Sequence, residues 1–128
     1  MNASSQTPST TPTVLPLAEA PLASPFARTR DNGDAVQVLI DRTGLPAPTL
    51  VAQPDVVHVM LADIDDMVPW LAELGGRLVV DGAPGCQAWT LVTELERTRR
   101  RAAVAVQVHA LTVSGQDVLP ALRSAVAA

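Results

Sequence analysis

The stretch Val56-Val57-His58-Val59-Met60-Leu61-Ala62-Asp63-Ile64-Asp65-Asp66, continued by Met67-Val68-Pro69-Trp70-Leu71-Ala72-Glu73-Leu74-Gly75-Gly76 and Arg77-Leu78-Val79-Val80, decides the fold. Val56 to Ala62 is apolar on both alternating faces except at His58, which predicts a strand inside a sheet rather than at its edge. Asp63, Asp65 and Asp66 suit the unpaired N–H groups of a helix start. A helix begun at Asp65 or Asp66 puts Pro69 in or just beyond its first turn, where a missing N–H costs least, and offers Trp70, Leu71 and Leu74 as its buried face. Gly75-Gly76 ends it, and Arg77 to Asp81 reads as the next strand. The two strands flanking this helix are expected to be parallel through a tight crossover.

Downstream, Gly82-Ala83-Pro84-Gly85 is a turn with Cys86 at its exit. Gln87 to Leu95 alternates Trp89, Leu91, Thr93 and Leu95 with Ala88, Thr90 and Val92. Ala103 to Thr112 alternates Val104, Val106, Val108 and Ala110 with Ala105, Gln107, His109 and Leu111. Period-two alternation over such lengths predicts two strands, joined here by Glu96-Arg97-Thr98-Arg99-Arg100-Arg101 as a hairpin with a basic tip. Gly115-Gln116-Asp117 predicts the cap of a last helix, Val118 to Ala127, with Leu119, Leu122 and Val126 inward.

Upstream, Asp34 is a candidate N-cap for a helix carrying Val36, Leu39 and Ile40 on one face, with Gly44-Leu45-Pro46 as its stop. An alternating strand at Val36, Val38 and Ile40 is the competing reading. Ala47 to Pro54 is a connector with a short pairing segment at Thr49 to Ala52. The expected order is helix, strand, helix, three strands, helix: one α+β domain over residues 31–128, with a mixed four-stranded sheet and helices mainly on one face.

Residues 1–30 are rich in Ser, Thr, Ala and Pro, with prolines at 8, 12, 16, 21 and 25. That composition predicts a disordered tail with an extended, solvated backbone. The chain has 128 residues and a net charge of −4, and every basic residue is Arg. The missing Lys excludes a Schiff base, a phosphate-loop lysine and a Ser-Lys dyad. Acids dominate from Asp31 to Asp81 and Arg from Arg97 to Arg123, so the two halves are oppositely charged. One cysteine, no apolar run of membrane-span length and no basic-then-apolar leader fit a cytoplasmic protein with no membrane partner.

Asp63-Ile64-Asp65-Asp66 after an apolar strand resembles the first motif of the haloacid-dehalogenase phosphatase superfamily. That resemblance implies Asp63 as nucleophile and Asp65 as acid/base beside Mg²⁺. The chain departs from the pattern by having no Lys and no later acid pair after an apolar strand, and helix capping accounts for all three Asp residues. His58 and His109 lie mid-strand, where they could face each other, and Cys86 would be a third ligand for zinc. The paired spacing typical of zinc sites is absent, and neither a cofactor nor a metal is expected. Nor does anything place a base beside Cys86, and Ser114 reads as a turn residue rather than a nucleophile.

Arg97, Arg99, Arg100 and Arg101 are the candidate contact for nucleic acid or for an acidic partner: guanidinium groups on a ribbon tip suit phosphates, although no aromatic residues interleave to stack bases. Trp70 and Trp89 are candidate interface anchors, with core packing as the other reading. Trp70-Leu71-Ala72-Glu73-Leu74-Gly75-Gly76, Trp89-Thr90-Leu91 and Val106-Gln107-Val108-His109-Ala110 together resemble small actinobacterial proteins, some associated with mobile elements. The resemblance spans about Asp34 to Ala128 and implies no activity or functional residue. The sequence therefore points to a non-catalytic interaction module acting through protein contacts or self-association as a homodimer, with nucleic-acid binding by the Arg-rich hairpin as the alternative.

Overall fold

Ser24 caps and Pro25 opens the first described helix. The Ser24 hydroxyl accepts from the Ala27 N–H at 3.0 Å, and Pro25 occupies the first helical position, where it has no hydrogen bond to lose. Helix α1 thus runs Pro25–Thr43, ten residues ahead of the expected start after Asp34, and Pro25 to Arg30 belong to it rather than to the tail. The proline taken as a breaker is a helix initiator. The stop falls as expected: Gly44 is left-handed at φ 77°, and its N–H donates to the Ile40 carbonyl at 2.7 Å. The computed structural model describes residues 24–96, 98 and 102–127; the proposed tail up to residue 23 lies outside them.

Five strands follow, not four: β1 Thr49–Ala52, β2 Val57–Met60, β3 Arg77–Ala83, β4 Cys86–Leu95 and β5 Val104–Val113. The additional one is the short segment at Thr49, which pairs antiparallel with β2. Strand order is β1-β2-β5-β4-β3, with β2 and β5 parallel and every other pair antiparallel. Two antiparallel steps from β5 make β3 parallel in sense to β2, as expected, but β5 and β4 lie between them. The link is a 3₁₀ turn at Ile64–Asp66 and helix α2, Met67–Leu74, which crosses beneath β4 and β5. Gly75 and Gly76, at φ 68° and 111°, turn the chain from α2 into β3.

All the described helices pack on one face. Ala35, Val36 and Leu39 of α1, Met67 and Trp70 of α2, and Leu122 of α3 (Pro120–Ala127) meet Val57, Val59, Leu78, Trp89, Leu91, Val106 and Val108 from the sheet. Gly33 lets α1 lie close to β1, since a Cβ there would stand 3.1 Å from the Ala52 Cβ. Asn32 fixes the same contact by donating to the Pro54 carbonyl at 2.9 Å. In α3 the inward side chain is Leu122, with Val118 just before the helix; Leu119 and Val126, expected inward, are exposed, because Pro120 starts the helix later and rotates its buried stripe. No helix among the described residues is long and apolar enough to cross a membrane.

Candidate functional site: the open face of the sheet

Strand alternation puts the other half of the sheet's side chains on a face that none of the described helices covers. The registers place Val51 of β1, His58 and Met60 of β2, Gln107, His109, Leu111 and Val113 of β5, Ala88, Thr90 and Val92 of β4, and Val79 of β3 on that face. Val51, Met60, Val79, Leu111 and Val113 are exposed, Leu111 at 64% and Val113 at 61%. Its charged residues among those described, Arg77 and Asp81 of β3 and Glu94 of β4, stand along the β3 side. A solvated antiparallel face ordinarily carries polar side chains at these positions. Val56 to Ala62 correctly foretold an interior strand, yet one of its two apolar faces meets solvent.

At the centre of this face His58 Nδ1 lies 2.9 Å from His109 Nε2, and His109 Nδ1 lies 3.1 Å from Thr90 Oγ1. The ring centres are 5.1 Å apart with the planes 29° from parallel. Adding about 1.1 Å from each nitrogen to its own ring centre to the nitrogen separation nearly exhausts that distance, so the rings meet edge to edge with one proton between them. With both rings neutral, the protons run one way along the row. Either Thr90 donates to His109 and His109 to His58, or His58 donates to His109 and His109 to Thr90. Burial, and secondarily the charge of His58, hold the His109 imidazole below its ordinary 6.5.

Beside the pair is a shallow depression of about 490 Å³ lined by His58, Met60, Leu61, Ala62, His109 and Leu111, among others. Cys86 shares the face but does not join the histidines. It pairs with Val113, four residues along β4 from Thr90, on the order of 13 Å away. No group of three or more His, Cys, Asp or Glu among the described residues could hold a metal ion. His58 and His109 thus do face each other, as their mid-strand positions allowed, and Cys86 stands apart from them.

The remaining sequence candidates lie elsewhere. Trp70 and Trp89 are core residues, 0% and 5% exposed, and cannot serve as interface anchors. Each indole N–H is satisfied internally: Trp70 donates to the Pro46 carbonyl at 2.8 Å, and Trp89 to the Thr112 hydroxyl at 3.0 Å. In a chain with so few large side chains these two fill the volume between sheet and helices. Asp63 caps the 3₁₀ turn, its Oδ1 accepting from the Asp65 N–H at 3.0 Å, so its geometry is that of a helix-start acid. Ser114 is a turn residue, donating to the Pro84 carbonyl at 3.1 Å. Arg97, Arg99, Arg100 and Arg101 lie outside the described residues.

Val51, Met60, Leu111 and Val113 were not singled out from the sequence. The available signal was that the outward positions of β5, namely Ala105, Gln107, His109, Leu111 and Val113, contain no charge at all. A second cleft, about 620 Å³, lies where α1, α2 and β4 end and is lined by Arg42, Glu73 and Glu94 with Ala35 and Leu39 beneath. No family model, curated protein or solved structure matches the chain.

Proposed function

We propose that this protein is a non-catalytic binding module that works by self-association, two copies packing open sheet face against open sheet face. The observation that carries the reading is the face itself: Val51, Met60, Val79, Leu111 and Val113 are exposed around a half-buried histidine pair, and among the described residues its charges are Arg77 and Asp81 of β3 and Glu94 near the end of β4. Leu and Val at such positions gain only when something apolar covers them, at about 25 cal/mol per Å² removed from water.

The dimensions support a second copy as the occupant. Strands about 4.8 Å apart and residues rising about 3.3 Å give a face on the order of 600 Å² per copy, hence roughly 1,200 Å² for the pair, which clears the size a specific interface needs. Two sheets stacked this way interdigitate across about 10 Å. The border carries both signs, Arg77 against Asp81 and Glu94, so a two-fold arrangement can pair unlike charges at its rim.

Isotope-filtered NMR on an equimolar mixture of labelled and unlabelled chains tests this. Intermolecular methyl contacts are expected among Val51, Met60, Leu111 and Val113. Their absence in a concentrated sample, or contacts arising instead from α1 or α3 methyls, would overturn the reading.

A further inference from the structure

Two imidazoles meeting nitrogen to nitrogen accommodate one shared proton and no more. A single positive charge is compatible with the row: a protonated His109 donates to Thr90 Oγ1 on one side and to a neutral His58 Nδ1 on the other. A second proton would set two N–H groups against each other at 2.9 Å, and the pair must open. We propose that the His58–His109 pair is an acid release for the self-association face: protonation of both rings drives them apart and charges the centre of the apolar surface, so that two copies packed on it separate.

This inference rests on the self-association reading, because the charge matters through what covers it. The setting leaves the pair little compensation. Next to it on the face stand Val51 of β1, Met60 of β2, Gln107 and Leu111 of β5, and Ala88, Thr90 and Val92 of β4, none of them charged. The described charged groups of the face are Arg77 and Asp81 of β3 and Glu94 near the end of β4; in the row of His109, Thr90 of β4 and then the uncharged Val79 of β3 follow it. Asp63 and Asp65 follow the end of β2; Asp63 is engaged as a cap. None of the described helices packs on this side. A facing copy presents the same groups, so its own histidines add to the repulsion instead of relieving it.

The sign follows from burial. Covering the face desolvates His109 further and so lowers its proton affinity in the dimer; dissociation then takes up protons, and lowering the pH favours it. A pair that already holds one added proton in the dimer and takes up the second on release gains one proton per copy, so the dissociation constant approaches a rise of about a hundredfold for each pH unit across the steepest part of the transition.

The test is sedimentation equilibrium on the full chain at pH 7.5 and pH 5.0 at constant ionic strength, for wild type and His109→Gln. Ring ¹⁵N NMR of the wild type accompanies it. Expected are a wild-type dissociation constant at least tenfold larger at pH 5.0, a His109→Gln dimer whose constant changes less than threefold, and coupled titration of the two rings. A wild-type dimer equally tight at both pH values overturns the acid release alone, as does independent titration of the two rings, which is readable whether or not His109→Gln folds. A wild type monomeric at pH 7.5 overturns the self-association reading and this inference with it.

Discussion

Gly76→Ala tests whether the α2–β3 junction is as tight as the geometry requires. Gly76 sits at φ 111°, where a side chain is strained, and an added Cβ would lie 2.5 Å from the Val92 carbonyl oxygen and 2.7 Å from the Thr93 Cβ. The first obstacle is backbone of the neighbouring strand and cannot swing away; Thr93 is itself held by its hydrogen bond to the Leu74 carbonyl at 3.3 Å. Backbone strain of about 1–2 kcal/mol adds to overpacking of about 1–3 kcal/mol, for a loss on the order of 3 kcal/mol. A domain of this size has a stability of about 5–15 kcal/mol, so the loss is a large share. Urea unfolding followed by the fluorescence of buried Trp70 and Trp89 reads it directly. With a slope of about 1.5 kcal/mol per molar urea, the midpoint falls by about 2 M. Gly44→Ala is the comparison: its φ is 77°, but nothing lies within 4 Å of an added Cβ, so only the left-handed strain of about 1 kcal/mol applies. Equal losses in the two variants, or a Gly76→Ala loss below about 1 kcal/mol, would refute the close approach.

Other expectations follow from single contacts. Thr112→Val leaves the Trp89 indole N–H without its buried acceptor and should cost about 1–3 kcal/mol in the same unfolding assay, whereas Thr112→Ser should retain most of it. Asp63→Ala removes the cap on the 3₁₀ turn and should cost about 1 kcal/mol, with Asp63→Asn close to wild type. Because His109 in the folded chain lies below its ordinary 6.5, the unfolded chain binds its proton first as pH falls. The stability this contributes is present above 6.5 and is lost as pH drops through the lower folded value. Urea midpoints should therefore decline from pH 7.5 to pH 5.0 in wild type, and decline less in His109→Gln.

What the sequence made legible depended on how strongly each segment is held by its own pattern. Strands β4 and β5 were readable because one face of β5 is buried throughout and that of β4 at its centre, so Trp89 and Leu91, like Val104, Val106 and Val108, must alternate. Strand β1 has only Thr49 to Ala52 and owes its pairing to the edge that β2 offers, a tertiary effect that propensity does not carry. The start of α1 was obscured because proline at Pro25 has opposite meanings at the first position of a helix and inside one, and Ser24 is the residue that distinguishes them.

The site was half legible. His58 and His109 were placed mid-strand, but their meeting needs β2 and β5 to be parallel neighbours in a register that sets His109 beside Met60 and His58 beside Gln107. Nothing in either strand alone fixes that register. The tryptophans illustrate the converse: a large aromatic reads as an interface anchor only when smaller side chains can fill the core, and here Trp70 and Trp89 are needed inside.

The most direct test of the open face as the self-association surface is sedimentation velocity from 1 to about 100 μM at pH 7.5, on wild type, Leu111→Asp and Leu119→Asp. Leu111 and Leu119 are both exposed, the first on the open face and the second just before α3 on the helix side. Wild type and Leu119→Asp are expected to sediment with twice the 13.4 kDa chain mass while Leu111→Asp stays at one. A wild type that remains monomeric throughout, or a Leu111→Asp dimer as tight as wild type, would contradict it.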